Sequence, residues 1–196
     1  MENGAKKVGI RMVAGFLVAI TIIVAVLASG ITLPSQVVKT GRLTVLIKDA
    51  PVDLDHLIIT INELEGHKVG TEENADGEWI SLLESGDTIP DFDLLAYQGD
   101  NTLVLTSIDI PVGSYNKIRL YVSGAYADYS EDSEREDGPV NVPPHKIDVI
   151  AKFELEEGGT RIVTIDMQPD WVAISKNNNL RPTLKAIITE SPSAEG

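Results

Sequence analysis

Beyond residue 40 the apolar positions of this chain recur every second residue. In LTVLIK, Leu43, Val45 and Ile47 share one face, and in HLIITINEL, Leu57, Ile59 and Ile61 do the same. KIDVIAKFEL places Ile147, Val149, Ala151, Phe153 and Leu155 on one side and Lys146, Asp148, Lys152 and Glu154 on the other. GEWISLL, DFDLLAY, NTLVLTSIDI, SYNKIRLYV, TRIVTIDM and LRPTLKAIIT read as further strands, with a helical turn between Asp91 and Gln98. Pro111-Val112-Gly113 and Gly158-Gly159 supply tight turns, and Lys68 to Glu78 and Asp128 to Pro144 read as long, mobile loops. Roughly nine or ten short strands with closely spaced turns predict an all-β fold, an antiparallel β-sandwich.

The period breaks down before residue 40. Met12 to Leu33 is apolar or weakly polar and carries no charge. About 22 residues of helix reach across a ~30 Å hydrocarbon core, and the run exceeds the ~7–15 residues of a signal-peptide core. Lys6, Lys7 and Arg11 precede it, which directs the N-terminus to the cytoplasm and the β-domain outside. The pattern divides the chain into a hydrophobic helix at 1–33, acting as membrane anchor or signal, a linker at 34–40, a domain at 41–190 and a disordered tail at 191–196. Small residues around Ala28 and Gly30 also fit cleavage there, which would release a secreted protein. A pilin-like segment fits less well, because Val8 separates Lys7 from Gly9 and Arg11 interrupts the apolar run.

Charge narrows the partners. The chain has 196 residues and a net charge of −14, and its first thirty residues carry +2, so the remainder carries −16. Such a domain repels nucleic acid and anionic lipid, and no basic stripe offsets that repulsion. Divalent cations and cationic surfaces suit it better, although surface acids also serve solubility alone. The absence of cysteine excludes a disulfide scaffold, a thiolate zinc site and an acylated lipoprotein cysteine.

The candidate chemistry is sparse. No nucleophile elbow, zincin motif or phosphate loop is present, which points away from an enzyme. Of the three histidines, His56 and His67 stand eleven residues apart, on opposite faces if their strand is regular, while His145 stands elsewhere. Calcium requires six to eight hard oxygens. Asp49, Asp53 and Asp55 around Pro51 form one candidate metal site, and Asp128, Glu131, Asp132, Glu134, Glu136 and Asp137 form a second. Neither has EF-hand spacing, and turn-capping or solvated acids would give the same letters.

Two further features concern partners. In SYNKIRLYV, with Ile118, Leu120 and Val122 inward, Tyr115, Lys117, Arg119 and Tyr121 form an outward aromatic and cationic stripe. Such a stripe can stack on sugar rings or meet a protein partner's carboxylates. It can equally be a set of cross-strand pairs in which Lys117 and Arg119 meet acids opposite. Cleavage near Ala28 would also free an extended SGITLPSQVVKT strand, able to complete a neighbour's sheet and build a filament.

GRLTVLIKDAP, HLIITINELEGHK, EWISLL, FDLLAYQ, IPVGSYNKIRLYV and LRPTLKAII, in that order, resemble domain-of-unknown-function family 4382. The resemblance covers nearly all of Gly41 to Glu190. It implies a sandwich of prealbumin-like or immunoglobulin-like type on the outside of a prokaryotic cell, and it supplies no catalytic residues. The acidic Asp128 to Asp137 insertion departs from the family pattern. The expectation is a non-enzymatic surface-binding, adhesion or envelope module, with a filament subunit as the alternative.

Overall fold

The computed structural model describes residues 38–49, 54–72, 74–131, 133–143, 145–167, 173–174, 179–181 and 184–190. The expected N-terminal helix at 1–33, linker residues 34–37 and the tail at 191–196 lie outside them. Twelve strands run through the described residues: β1 Thr40–Asp49, β2 His56–Lys68, β3 Glu78–Ser81, β4 Phe92–Asp93, β5 Leu103–Pro111, β6 Gly113–Asp128, β7 Gly138–Val140, β8 Lys146–Leu155, β9 Thr160–Met167, β10 Ala173–Ile174, β11 Leu180–Arg181 and β12 Leu184–Glu190. A single 3-10 turn, Leu94–Ala96, follows β4 and falls inside the helical turn expected between Asp91 and Gln98. No helix among the described residues is long and apolar enough to cross a membrane.

The strands form two main sheets. The first has the order β12-β9-β1-β5; the second has β3-β2-β6-β7, with β4 also on β2 and β8 on β6; β10 and β11 pair separately. Alternation explains why these segments are strands and which face each buries. Leu43, Val45 and Ile47 of the first sheet are fully buried, as are Leu57, Ile59 and Ile61 of the second. Together with Ile118, Leu120, Val149, Phe153, Val163 and Ile165 they belong to one buried cluster. Burying each such side chain stabilises the fold by about 1.5–3 kcal/mol.

The expected all-antiparallel pairing is corrected at one ladder. β1 and β9 are parallel, with Arg42 opposite Thr160 and Asp49 opposite Met167. Parallel neighbours need a long crossover, and here residues 50–159, which include the second sheet, form it. The step back from β8 to β9 uses Gly158 at φ +68, a left-handed conformation that favours glycine. Gly158 N–H then donates to Thr40 O at 2.9 Å, and Arg42 N–H donates to Gly159 O at 2.8 Å. Gly41 fits this crossing because a Cβ there would stand 2.5 Å from Glu156 O. Part of the expected Asp128 to Pro144 loop is also a strand: β7 pairs with Ala125, Tyr126 and Ala127 of β6.

Candidate binding face

On the outer face of the second sheet, register brings together residues that are far apart in sequence. Trp79, His67, Lys117 and Ile150 form one row across β3, β2, β6 and β8. Ser81, Glu65, Arg119 and Asp148 form the next, and Glu63, Tyr121 and Lys146 a third. The Arg119 guanidinium lies 3.7 Å from the Trp79 ring centre and the Lys146 amine 5.0 Å from that of Tyr121. Arg119 also forms a two-pronged pair with Asp148, Nε–Oδ1 2.6 Å and Nη2–Oδ2 3.1 Å. The Tyr121 hydroxyl donates to Glu65 at 2.8 Å, and Glu65 lies 4.0 Å from Arg119.

These contacts set the electrostatics. The Arg119 hydrogen bonds hold the Asp148 carboxyl below its usual value against the opposing effect of burial. Asp148 in turn raises the Arg119 guanidinium, so both remain charged. Lys117 is looser, 3.7 Å from Asp148, and its register neighbour Ile150 is 60% exposed. His67 packs against Trp79 in a tilted contact, 4.7 Å between ring centres, and its Nδ1 lies 2.9 Å from Asn116 Oδ1. The face therefore combines a rigid centre, Arg119 with Trp79 and Asp148, and a more exposed margin at Lys117, Ile150 and Lys146.

Lys117, Arg119 and Tyr121 take the expected outward positions; Tyr115 does not. It is 2% exposed, stacked on Phe153 with ring centres 5.1 Å apart, and its hydroxyl donates to Pro111 O at 2.7 Å. The cause is a bulge at Asn116, extra to β6 against β2, where Lys68 opposes Tyr115 and His67 opposes Lys117; it changes the phase of the alternation. Tyr115 thus leaves the candidate ligand-binding set and joins the core. A second shift, between Ile61 and Glu63, puts His56 and His67 on the same outer face of β2 and corrects the opposite-face expectation. They remain apart, because eleven residues of strand span roughly 36 Å.

Trp79, Glu65, Asp148 and Lys146 are the partners that sequence reasoning did not assign to the stripe. Their signal was present only as outward positions on their own strands, since pairing decides which of them meet. Beside this face a cleft of about 280 Å³ opens along β2 past the end of β3, where Glu63, Glu65, Glu84 and Asp87 contribute to its lining.

The first calcium candidate is only partly visible. Asp53 and the Asp49 side chain lie outside the described residues; Asp55 is exposed and its N–H donates to Asp128 O at 3.0 Å. In the second, Asp132 lies outside the described residues, and Asp137 Oδ1 accepts the Tyr129 N–H at 2.8 Å. Among the described residues no group of three or more His, Asp or Glu side chains could hold a metal ion. His145 Nδ1 lies 3.2 Å from Val122 O.

The model of a family described as a domain of unknown function, DUF4382, matches residues 40–185. The chain belongs to this family. Searches of curated proteins and of solved structures find no match. In this DUF4382 domain the matched region contains the whole outer face from Glu63 to Ile150, so the stripe lies within the family domain.

Proposed function

We propose that the two sheets pack face to face as a β-sandwich and that the protein is a non-enzymatic extracytoplasmic binding module, tethered by its N-terminal apolar segment. The shared buried cluster supports the sandwich. The ligand class is a polysaccharide of the cell envelope, bound across the outer face of β3, β2, β6 and β8. One observation carries this reading: aromatic rings and cations alternate on that face of an otherwise strongly acidic domain. Planar rings offer the C–H faces of sugars an apolar surface, while Lys117 and Lys146 donate to hydroxyls or anionic sugar groups.

Retention of the purified protein on envelope polysaccharide tests the reading. Tyr121→Ser together with Lys117→Ala is expected to weaken retention about tenfold or more, as loss of central contacts does at other recognition surfaces. Melting temperature should fall little, because both side chains are partly exposed. Undiminished retention by this double variant would remove the proposal. Arg119→Ala should behave differently and lower stability by about 1–2 kcal/mol, since it frees Asp148 and uncovers Trp79. Thermal unfolding of the three proteins separates the two effects.

A further inference from the structure

The first sheet has a different outer face. Ile187, Thr164, Leu46 and Val104 form a row across β12, β9, β1 and β5, and Thr189, Ile162, Thr44 and Ser107 form the adjacent one. Neither row contains a charge, and Val104 and Ile187 are 57% and 39% exposed at the two edges. Charged groups bracket the rows: Lys48 with Asp166 at 3.5 Å and the adjacent Lys185 on one side, Arg42 with Asp109 at 2.6 Å on the other. On a domain of −16 this surface has no net negative charge, and its two central rows are half aliphatic and half hydroxyl-bearing.

We propose that this face is a self-association surface whose partner is a second copy of the same chain. The positions of its residues are self-complementary about a two-fold axis running parallel to the strands, between β9 and β1. That axis sets β9 of one copy against β1 of the other and β12 against β5. Asp166 of each copy then faces Lys48 of the other, Ile187 meets Val104, and Thr164 meets Leu46, because each pair shares a register row. Two sheets of equal twist pack in this aligned manner about 10 Å apart. The absence of net negative charge on this face also matters, since elsewhere two such acidic copies repel one another.

Size sets the strength. The β1–β9 ladder has eight register positions, and four strands across make a face on the order of 500 Å², or about 1,000 Å² for both copies. That is the lower limit for a specific interface, so the pair is transient, with association in the micromolar range or weaker. It is an isologous contact, which closes as a dimer and does not propagate.

The test uses the full chain, which contains no cysteine. Val104→Cys and Ile187→Cys copies are mixed and treated with a thiol cross-linker no longer than the ~10 Å between packed sheets. The expected result is 104–187 linkage in several-fold excess over 104–104, 187–187 and a control Ile150→Cys on the other sheet. A complementary pair tests the same register without chemistry. Val104→Glu and Ile187→Lys copies should each lose self-association about tenfold, and their mixture should regain it as a heterodimer. Linkage no greater than the Ile150→Cys control would overturn the proposal, as would a protein that stays monomeric at millimolar concentration. A monomer whose position 104 resists labelling would also overturn it, because another partner then covers the face.

Discussion

Tyr115→Ser is expected to destabilise the domain by about 3–5 kcal/mol, the range for removing a large aromatic side chain from a packed core. For a domain of this size that lowers Tm by roughly 10 °C or more. The expectation rests on where the ring sits: 2% exposed and nearly parallel to Phe153, at an interplanar angle of 7°. Tyr115→Phe keeps that stack and removes only the hydrogen bond to Pro111 O, so it should cost about 1 kcal/mol. Titration gives a second readout. Burial, with the charge of Glu78 adding to it, pushes the Tyr115 phenol up to about 12. A spectrophotometric titration should therefore show one of the five tyrosines ionising late, and Tyr115→Phe should abolish that late phase. Tyr121→Ser, on the outer face, should cost less than about 1.5 kcal/mol. Equal losses from Tyr115→Ser and Tyr121→Ser would contradict the burial of Tyr115.

The contrast between those two tyrosines shows what the sequence carries and what it does not. Alternation is a local signal, and it identified the buried faces of β1, of the first half of β2 and of β8 residue by residue. It loses its phase wherever one extra residue enters a strand, because nothing in the letters of SYNKIRLYV marks the insertion near Asn116. The parallel β1–β9 ladder was hidden for another reason. Which strands become neighbours depends on long-range packing, and an all-apolar strand face is compatible with either direction. The candidate face was half legible on the same grounds. Lys117, Arg119 and Tyr121 could be placed outward and opposite acids, yet choosing Asp148 and Glu65 as those acids requires the register. Trp79 was readable as a strand residue, and its contact with Arg119 is a diagonal one that no single strand reveals.

The face and the core thus share one cause. The shift beside Tyr115 directs its ring inward, and it leaves Lys117, Arg119 and Tyr121 in step on the outside with Ile150, Asp148 and Lys146. Placing the cations in that register satisfies Arg119 on both sides and leaves Lys117 more loosely paired. A single-residue deletion at Asn116 should therefore disturb packing and binding together, whereas Lys117→Ala should affect binding alone.

Asp93→Ala is expected to cost about 2–3 kcal/mol, through two backbone groups that lose their acceptor together. Asp93 Oδ1 accepts the N–H of Leu57, next to the start of β2, and the N–H of Leu95 in the 3-10 turn, each at 3.1 Å. Its Oδ2 lies 2.6 Å from His56 Nδ1. Burial alone would raise the Asp93 carboxyl, but the hydrogen bonds from His56, Leu57 and Leu95 outweigh it and hold the group below its usual value. Asp93 in turn raises His56 by its hydrogen bond and its charge, with Asp128 and Asp55 adding smaller effects. The consequences for stability have opposite signs at the two ends of the pH scale. The His56 contribution is fully present below the unfolded histidine value near 6.5 and is lost as pH rises through the higher folded value. The Asp93 contribution is present above the unfolded carboxylate value near 3.8 and is lost as pH falls through the lower folded one. Stability from the pair should therefore be greatest between about pH 4 and 6.5, read as Tm across pH 3 to 9. His56→Gln should flatten the alkaline limb and weaken the acid one, because His56 also helps lower the Asp93 carboxyl while the Leu57 and Leu95 N–H groups still favour its charged form. Asp93→Ala should flatten both limbs, and a variant profile parallel to that of the parent would show that the clamp contributes nothing to pH dependence.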